Sequence, residues 1–368
     1  MPAPEQALLR ACACLPPAPD PERLTDLAAG VRDWNRFVFD AEEHGIAPLA
    51  HAHLREGAAL PAGARHSLAA LAVRHRHANR TRFAVLAEIL DAFARRDINA
   101  IVLKGAALAH VLYPEPGVRA MRDLDILVPV KQVYEAREAL RSLGFKITEE
   151  PPSRYSADHH HLPDCSIVRD GLSVSVELHV DALSRDAPES LSFDTFTEAL
   201  RPFTLDGRKA QAFGHTDMLR HLCRHMIEPG NEIRLIHVTD ILEYARRFRD
   251  EIDWPALRAR HPFVTNTIAL LHYVRPLPGD LHSVILPPSV PTPAGVGLTM
   301  KPLSAVARSS GHDRLHGLFA PPAWWLHANY GVAPDRSLIL VRTIRHPLRL
   351  ARWLVRRLVA AVRTTTVK

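Results

Sequence analysis

Asp123 and Asp125 flank a single residue, Leu124, in the apolar run Asp-Leu-Asp-Ile-Leu-Val. Alternate side chains of a β-strand share a face, so the two carboxylates point the same way, roughly 7 Å apart. Like charges held at that spacing repel unless a cation lies between them. A third acid, Glu177, sits mid-strand on the polar side of an otherwise apolar run, as Asp125 does. Three carboxylates on neighbouring strands could hold two divalent cations about 3.5–4 Å apart. Hard oxygen ligands favour Mg²⁺ or Mn²⁺. Such a pair activates a hydroxyl and neutralises charge at a phosphorus centre. Solvated acids on an edge strand are the competing reading.

The complementary half of that chemistry lies upstream. The run Ile-Asn-Ala-Ile-Val-Leu-Lys-Gly stops at Gly105, and a helix-like Ala-Ala-Leu-Ala-His-Val-Leu-Tyr follows it. A strand-to-helix turn at glycine exposes backbone N–H groups and a helix N-terminus, a favourable place for phosphate. Lys104, Arg119 and Arg122 could screen a triphosphate, or could pair with the acids.

The elements that must position these residues follow from periodicity. Residues 1–97 read as helices, with Phe83, Leu86, Ile89, Leu90 and Phe93 at helical intervals. Residues 98–184 alternate strand, helix, strand, helix and a hairpin turning at Asp170-Gly171, which gives a small α/β or α+β sheet. Gly144 marks the C-terminal end of the second helix. Residues 185–320 read as helical again, except that the six prolines and three glycines of 276–300 indicate a loop. Residues 321–368 end in a basic amphipathic helix with Leu350, Leu354 and Leu358 four residues apart. No internal repeat is apparent.

Charge and cysteine use narrow the setting. Arg336 to Lys368 holds nine Lys/Arg and no Asp/Glu, more than the chain's whole net charge of +6. Basicity therefore belongs to the tail, which could grip RNA or an acidic surface. No apolar run approaches the roughly 18 residues that span a membrane, so no transmembrane segment is expected. Glu5 and Arg10 interrupt the N-terminal apolar stretch, a poor secretory signal. Four cysteines without a framework spacing suit a reducing cytoplasm. His159-His160-His161 reads as a polar loop, and His221 with His225 as helix packing, since no metal-ligand motif accompanies either.

Taken in order, Leu103-Lys104-Gly105, Tyr113, Arg119, Asp123-Leu124-Asp125 and Glu177-Leu178-His179 resemble the uncharacterised bacterial nucleotidyltransferases of the DNA polymerase β-like superfamily. The likeness extends to His225, Arg234 and Asp240, and back to the segment Trp-Asn-Arg-Phe-Val-Phe-Asp-Ala-Glu-Glu-His-Gly-Ile-Ala-Pro-Leu. Ala106 and Ala107 stand where the wider superfamily often has serine.

The resemblance implies an α+β fold, a small mixed polymerase β-like sheet flanked by helical regions. It implies Asp123, Asp125 and Glu177 as catalytic metal ligands for two Mg²⁺ or Mn²⁺ ions. Lys104, Gly105, Ala106, Arg119, Arg122, His225, Arg234 and Asp240 would bind the nucleotide. The implied reaction moves an NMP from an NTP to an acceptor hydroxyl on a small molecule, a peptide or an RNA. Two rivals stand beside it: a toxin-like enzyme that adds nucleotides to tRNA, and an inactive nucleotide- or partner-binding protein.

Overall fold

The computed structural model describes residues 3–17, 20–56, 60–148, 160–184, 187–227, 233–285 and 319–365. Its N-terminal third is helical: α1 (Pro4–Cys12), α2 (Pro21–Ala29), α3 (Trp34–Glu43), α4 (Ala47–Leu54) and α5 (Ala62–Ala94). Asp20 and Asp33 start α2 and α3 by accepting hydrogen bonds from the Arg23 and Arg36 N–H groups, each at 2.9 Å. These caps satisfy donors that a helix start leaves unpaired. Gly45 separates α3 from α4 at φ 71°, a conformation glycine adopts without strain.

The central sheet is α+β in character. It comprises β1 (Ile101–Val102), β2 (Asp123–Leu127), β3 (Lys146–Ile147), β4 (Cys165–Arg169) and β5 (Leu172–His179), in spatial order β1-β2-β5-β4-β3. Helices α6 (Lys104–Val111) and α7 (Val133–Ser142) interleave with these strands along the chain. Only β2 and β5 run parallel; the other neighbours are antiparallel. Asp170 and Gly171 turn the β4–β5 hairpin with φ of 49° and 73°. Two successive positive φ values match the right-handed strand twist, which is why Asp-Gly marks this turn.

The C-terminal part adds α8 (His215–Ile227), α9 (Leu235–Arg247), α10 (Trp254–Arg260), α11 (Pro262–Leu271), α12 (Gly279–Ile285), α13 (Ala323–Tyr330) and α14 (His346–Thr365). Two departures from the sequence reading lie here. A second hairpin, β6 (Arg201–Leu205) and β7 (Arg208–Ala212), interrupts the segment read as helical. Its turn is again Asp-Gly, Asp206 and Gly207 at φ 46° and 78°, the same local signal as the first hairpin. Within 276–300, Pro278 and Gly279 precede and open helix α12, while Leu281 and Ile285, four residues apart, bury one face. Positions 286–300 lie outside the described residues.

One contiguous hydrophobic core joins Leu8, Leu49 and Phe93 to Leu124 and Val176 of the sheet and to Leu242 and Leu270 beyond it. In strand β2, Leu124, Ile126 and Leu127 are fully buried. Such burial leaves its acidic face a single direction to open, toward α8 and α9. No helix among the described residues is long and apolar enough to cross a membrane.

Candidate active site

The site begins with register. Parallel pairing sets Asp125 opposite Glu177 and Asp123 opposite Ser175, so both strands present their acids on one side. His179 follows Glu177 at the next same-face position. Its Nε2–H donates to Asp125 Oδ1 at 2.9 Å and lies 3.4 Å from Glu177 Oε2. Oxygen and nitrogen atoms of Asp125, Glu177 and His179 fall within 4.8 Å of one another.

The turn after β1 supplies the counter-charge. Leu103 N–H bonds the Asp125 carbonyl at 3.0 Å, which ties the turn to β2. Lys104 then adopts φ 43°, a strained conformation for a residue with a Cβ. That twist puts its Nζ 2.9 Å from Asp125 Oδ1. Burial works to raise the Asp125 pKa, but Lys104 and His179 outweigh it and hold the carboxyl well below its usual range. Burial lowers and the charges of Asp125 and Asp123 raise the Lys104 pKa, which ends above the ordinary lysine value. For His179, burial disfavours the cation, yet the hydrogen bonds to Asp125 and Glu177 raise its pKa overall.

Asp123 differs. Its side chain is exposed to the cleft, and no hydrogen bond or salt bridge from the described residues reaches its carboxylate. Desolvation within the cleft, and then the negative charge of Asp125, raise its pKa.

The helical wall is braced from behind. Arg119 Nη2 and Tyr113 Oη donate to Asp240 at 2.6 and 2.7 Å, and all three are buried. Asn79 of α5 donates to the carbonyls of Pro116 and Arg119 at 2.9 and 2.8 Å, and Arg82 to that of Arg122 at 3.2 Å. The long helix thereby fixes the segment between α6 and β2. A Cβ on Gly105 would collide with the Arg119 guanidinium, whose Cζ stands 3.1 Å away, and with Met121 Cβ at 3.3 Å.

Around these groups lies a cavity of about 360 Å³, walled by all three parts of the chain. Lys104, Gly105, Arg119, Arg122, Asp123 and Asp125 come from the sheet region, and His225, Arg234, His237 and Asp240 from α8, α9 and the segment between them. Glu42, Gly45 and His75 close the N-terminal side. Arg122 and Arg234 have no acidic salt-bridge partner among the described residues. Burial first, then the positive charges of Arg119 and Arg122, lower the Arg234 pKa to about 10.

The structure thus gathers Lys104, Gly105, Arg119, Arg122, Asp123, Asp125, His225, Arg234 and Asp240 on one cavity, with Glu177 beside Asp125 on the next strand. Ala106 does not line it, because its side chain points into the core at 1% exposure. Arg119 meets Asp240 rather than open solvent, so its first role in the fold is structural. His179, Tyr113 and Glu42 lie in the resembling segments with no role assigned to them there, and His237 and His75 are additions of the structure. Strand parity had already put His179 on the face of Glu177. The others come together through tertiary packing alone, such as the bond from Ile236 N–H to the His44 carbonyl that docks α9 on the α3–α4 turn. His221 is packed as expected, with Nδ1 3.0 Å from the Ala182 carbonyl. The rings of His160 and His161 lie 5.5 and 5.2 Å from that of His179, which a polar loop did not anticipate; His159 lies outside the described residues.

Residues 31–262 match the model of a family described as uncharacterised nucleotidyltransferase. No curated protein matches the sequence. Among solved structures, ANT(2")-Ia in complex with adenylyl-2"-tobramycin is similar at 14% identity, over 49% of this chain and 99% of that one, with a TM-score of 0.36. An antigenic nucleotidyltransferase-like protein from Paracoccidioides brasiliensis is similar at 16% identity, over 55% and 92%, with a TM-score of 0.37.

Proposed function

Since the chain belongs to this family of uncharacterised nucleotidyltransferases, and so is a nucleotidyltransferase enzyme, we propose that its cleft moves an NMP from an NTP to an acceptor hydroxyl with divalent metal. The observation that carries this reading is the pairing of Asp125 with Glu177 across parallel strands, below the turn at Lys104-Gly105.

The donor chemistry fits a hard divalent cation. Carboxylate oxygens of Asp125 and Glu177 converge with one imidazole nitrogen, and Asp123 adds a carboxylate without a partner among the described residues. A cation, the Lys104 ammonium, already sits on Asp125. Asp123, Asp125 and Glu177 would hold two Mg²⁺ or Mn²⁺ ions. When bound, these would neutralise triphosphate charge and acidify the acceptor hydroxyl.

The chain's own residues do the rest. Arg122 and Arg234 face the triphosphate, and the Gly105 backbone at the start of α6 lets phosphate oxygens approach. His225 and Asp240 border the same space, Asp240 acting as a positioning residue through Arg119. Glu177 accepts the proton of the acceptor hydroxyl as its oxygen attacks the α-phosphorus. The bond from that phosphorus to the bridging oxygen breaks, and pyrophosphate leaves.

We also take residues 98–184 as the transferase core, 1–97 and 185–320 as its helical walls, and 321–368 as a tail that recruits RNA or an acidic surface. The four buried free thiols suit a reducing cytoplasm.

Incubation with each labelled NTP, Mg²⁺ or Mn²⁺, and a lysate split into protein, RNA and metabolite fractions tests the proposal. Metal-dependent pyrophosphate release and label in one fraction are expected. Absence of release with every NTP would sink it.

A further inference from the structure

A second cavity, of about 810 Å³, lies on the other side of α9 and shares no lining residue with the catalytic cleft. Its volume is in the range of small-molecule sites. Ala7 and Ala11, one turn apart on α1, leave room where longer side chains would fill it. Pro16, Pro17, Pro276 and Pro278 form rigid parts of the wall.

The polar lining is one-sided. Arg10, Arg23, Arg246 and Arg275 line it together with Asp20, Glu243 and Asp280. Each of these acids is already engaged. Glu243 binds Arg275 at 2.6 Å and Arg246 at 3.0 Å. Asp20 caps α2, and Asp280 accepts from the Leu281 N–H at 2.9 Å and pairs with Arg249 at 3.3 Å. His272 Nδ1 accepts from the Leu277 N–H at 3.2 Å.

Donors, in contrast, are left over. Arg275 is only 9% exposed; its Nη1 serves Glu243 and the Ala13 carbonyl, while Nε and Nη2 have no hydrogen-bond partner. Arg10 Nε and the Tyr273 hydroxyl, on the same lining, are also buried without a partner. Unmet buried donors cost free energy that an acceptor would recover. Cys14 offers no covalent chemistry, because burial pushes its thiol up to about 11.

We propose that this cavity binds an amphiphilic anion, a carboxylate or phosphate ester carried on an apolar body. Its acidic head meets Arg10 and Arg275, and its chain lies along Ala7, Ala11, Leu15, Leu24 and Val274.

Calorimetric titration of the full chain with decanoate and with decyl phosphate, both below their micellar concentrations, tests this, with decanol as the neutral control. Saturable one-to-one binding of at least one anion is expected, at least about tenfold tighter than decanol. The tighter of the two identifies the head group. Arg10→Gln should weaken binding at least about tenfold, since the Arg10 side chain has no salt bridge among the described residues whose loss would confuse the result. Ala11→Leu, which fills the space without changing charge, should abolish binding while the unfolding temperature holds or rises. Absence of saturable binding, decanol binding as tightly as both anions, or an affinity that neither variant moves would overturn the proposal.

Discussion

The floor and the wall of the catalytic cleft carry opposite charge and balance it differently. On the floor, Asp125 receives both Lys104 and His179 at 2.9 Å, so its charge is compensated by the fold itself. On the wall, Asp240 compensates Arg119, but Arg122 and Arg234 have no acidic salt-bridge partner among the described residues, and the positive charges of Arg119 and Arg122 add to burial in pulling the Arg234 pKa down. A compensated floor carries its counter-charge before any ligand arrives. An uncompensated cationic wall gains most when a polyanion enters, because the anion relieves repulsion between the arginines. Asp123 is the floor's exception, an acid without a partner among the described residues, and it marks where a cation from solution has most to gain.

Neutralising the two aspartates separately should have the largest effects. Asp123→Asn and Asp125→Asn should each lower transfer by at least about a hundredfold. Their stabilities should part. Asp125→Asn removes the partner of a buried ammonium and should cost about 3 kcal/mol, the low end for breaking a buried pair. Asp123→Asn removes repulsion from Asp125 that outweighs the attraction of Lys104, and should leave stability equal or slightly higher. Urea unfolding of both variants without metal checks this. Equal shifts would mean that Lys104 does not depend on Asp125.

Glu177 separates the chemistry from the binding. Glu177→Gln keeps its size and removes its charge, so it should retain Mg-NTP binding in calorimetry while transfer falls at least about a hundredfold. Full activity would move the third carboxylate elsewhere. Asp181 is a poor substitute, since the N–H groups of Leu183 and Leu191 already hold it at 2.8 and 2.9 Å.

Much of the floor was legible in the sequence because strand parity and turn chemistry are local. The spacing of Asp123 and Asp125 gave their shared face, and Asp170-Gly171 gave the hairpin that delivers Glu177. The same turn signal stands at Asp206-Gly207, within a region otherwise read as helical. Of the wall, Arg119 and Arg122 were legible as cations beside the turn, but Tyr113 and Asp240 only through resemblance, since Asp240 lies more than a hundred residues from Tyr113 and Arg119 across their bonds. Nothing local in Glu42 or His75 announces the cleft; the packing of α3 and α5 brings them there.

Gly105 carries a steric constraint beyond the close phosphate approach that a glycine at this turn implies. Glycine at a strand-to-helix turn suggests close approach of phosphate, but the structure puts the Arg119 guanidinium against it. Gly105→Val should therefore cost about 1–3 kcal/mol through overpacking, besides weakening NTP binding. Thermal unfolding of Gly105→Val with and without Arg119→Ala distinguishes the causes. If, measured against Arg119→Ala alone, Gly105→Val costs no stability yet still weakens NTP binding, both reasons hold. If Gly105→Val leaves stability untouched, the steric account fails.

The smallest effect is expected from the basic tail, which stands outside both floor and wall. Helix α14 meets the body through its first turn: His346 Nδ1 lies 2.9 Å from the Tyr330 hydroxyl, and the Arg349 guanidinium lies 5.8 Å from the ring centres of Trp325 and Tyr330. Farther along, Leu354, Val355 and Leu358 are exposed, so removing them takes nothing from the core. Deleting residues 354–368 should change stability by no more than about 0.5 kcal/mol, as surface changes do, and leave metal-dependent pyrophosphate release intact. Retention on RNA or on anionic vesicles should fall, and the salt dependence of that retention should flatten as cationic contacts are lost. A folded truncation that binds both surfaces as before would remove the recruiting role. A truncation that loses pyrophosphate release would instead make the tail part of the cleft wall, and the division between wall and tail would have to be redrawn.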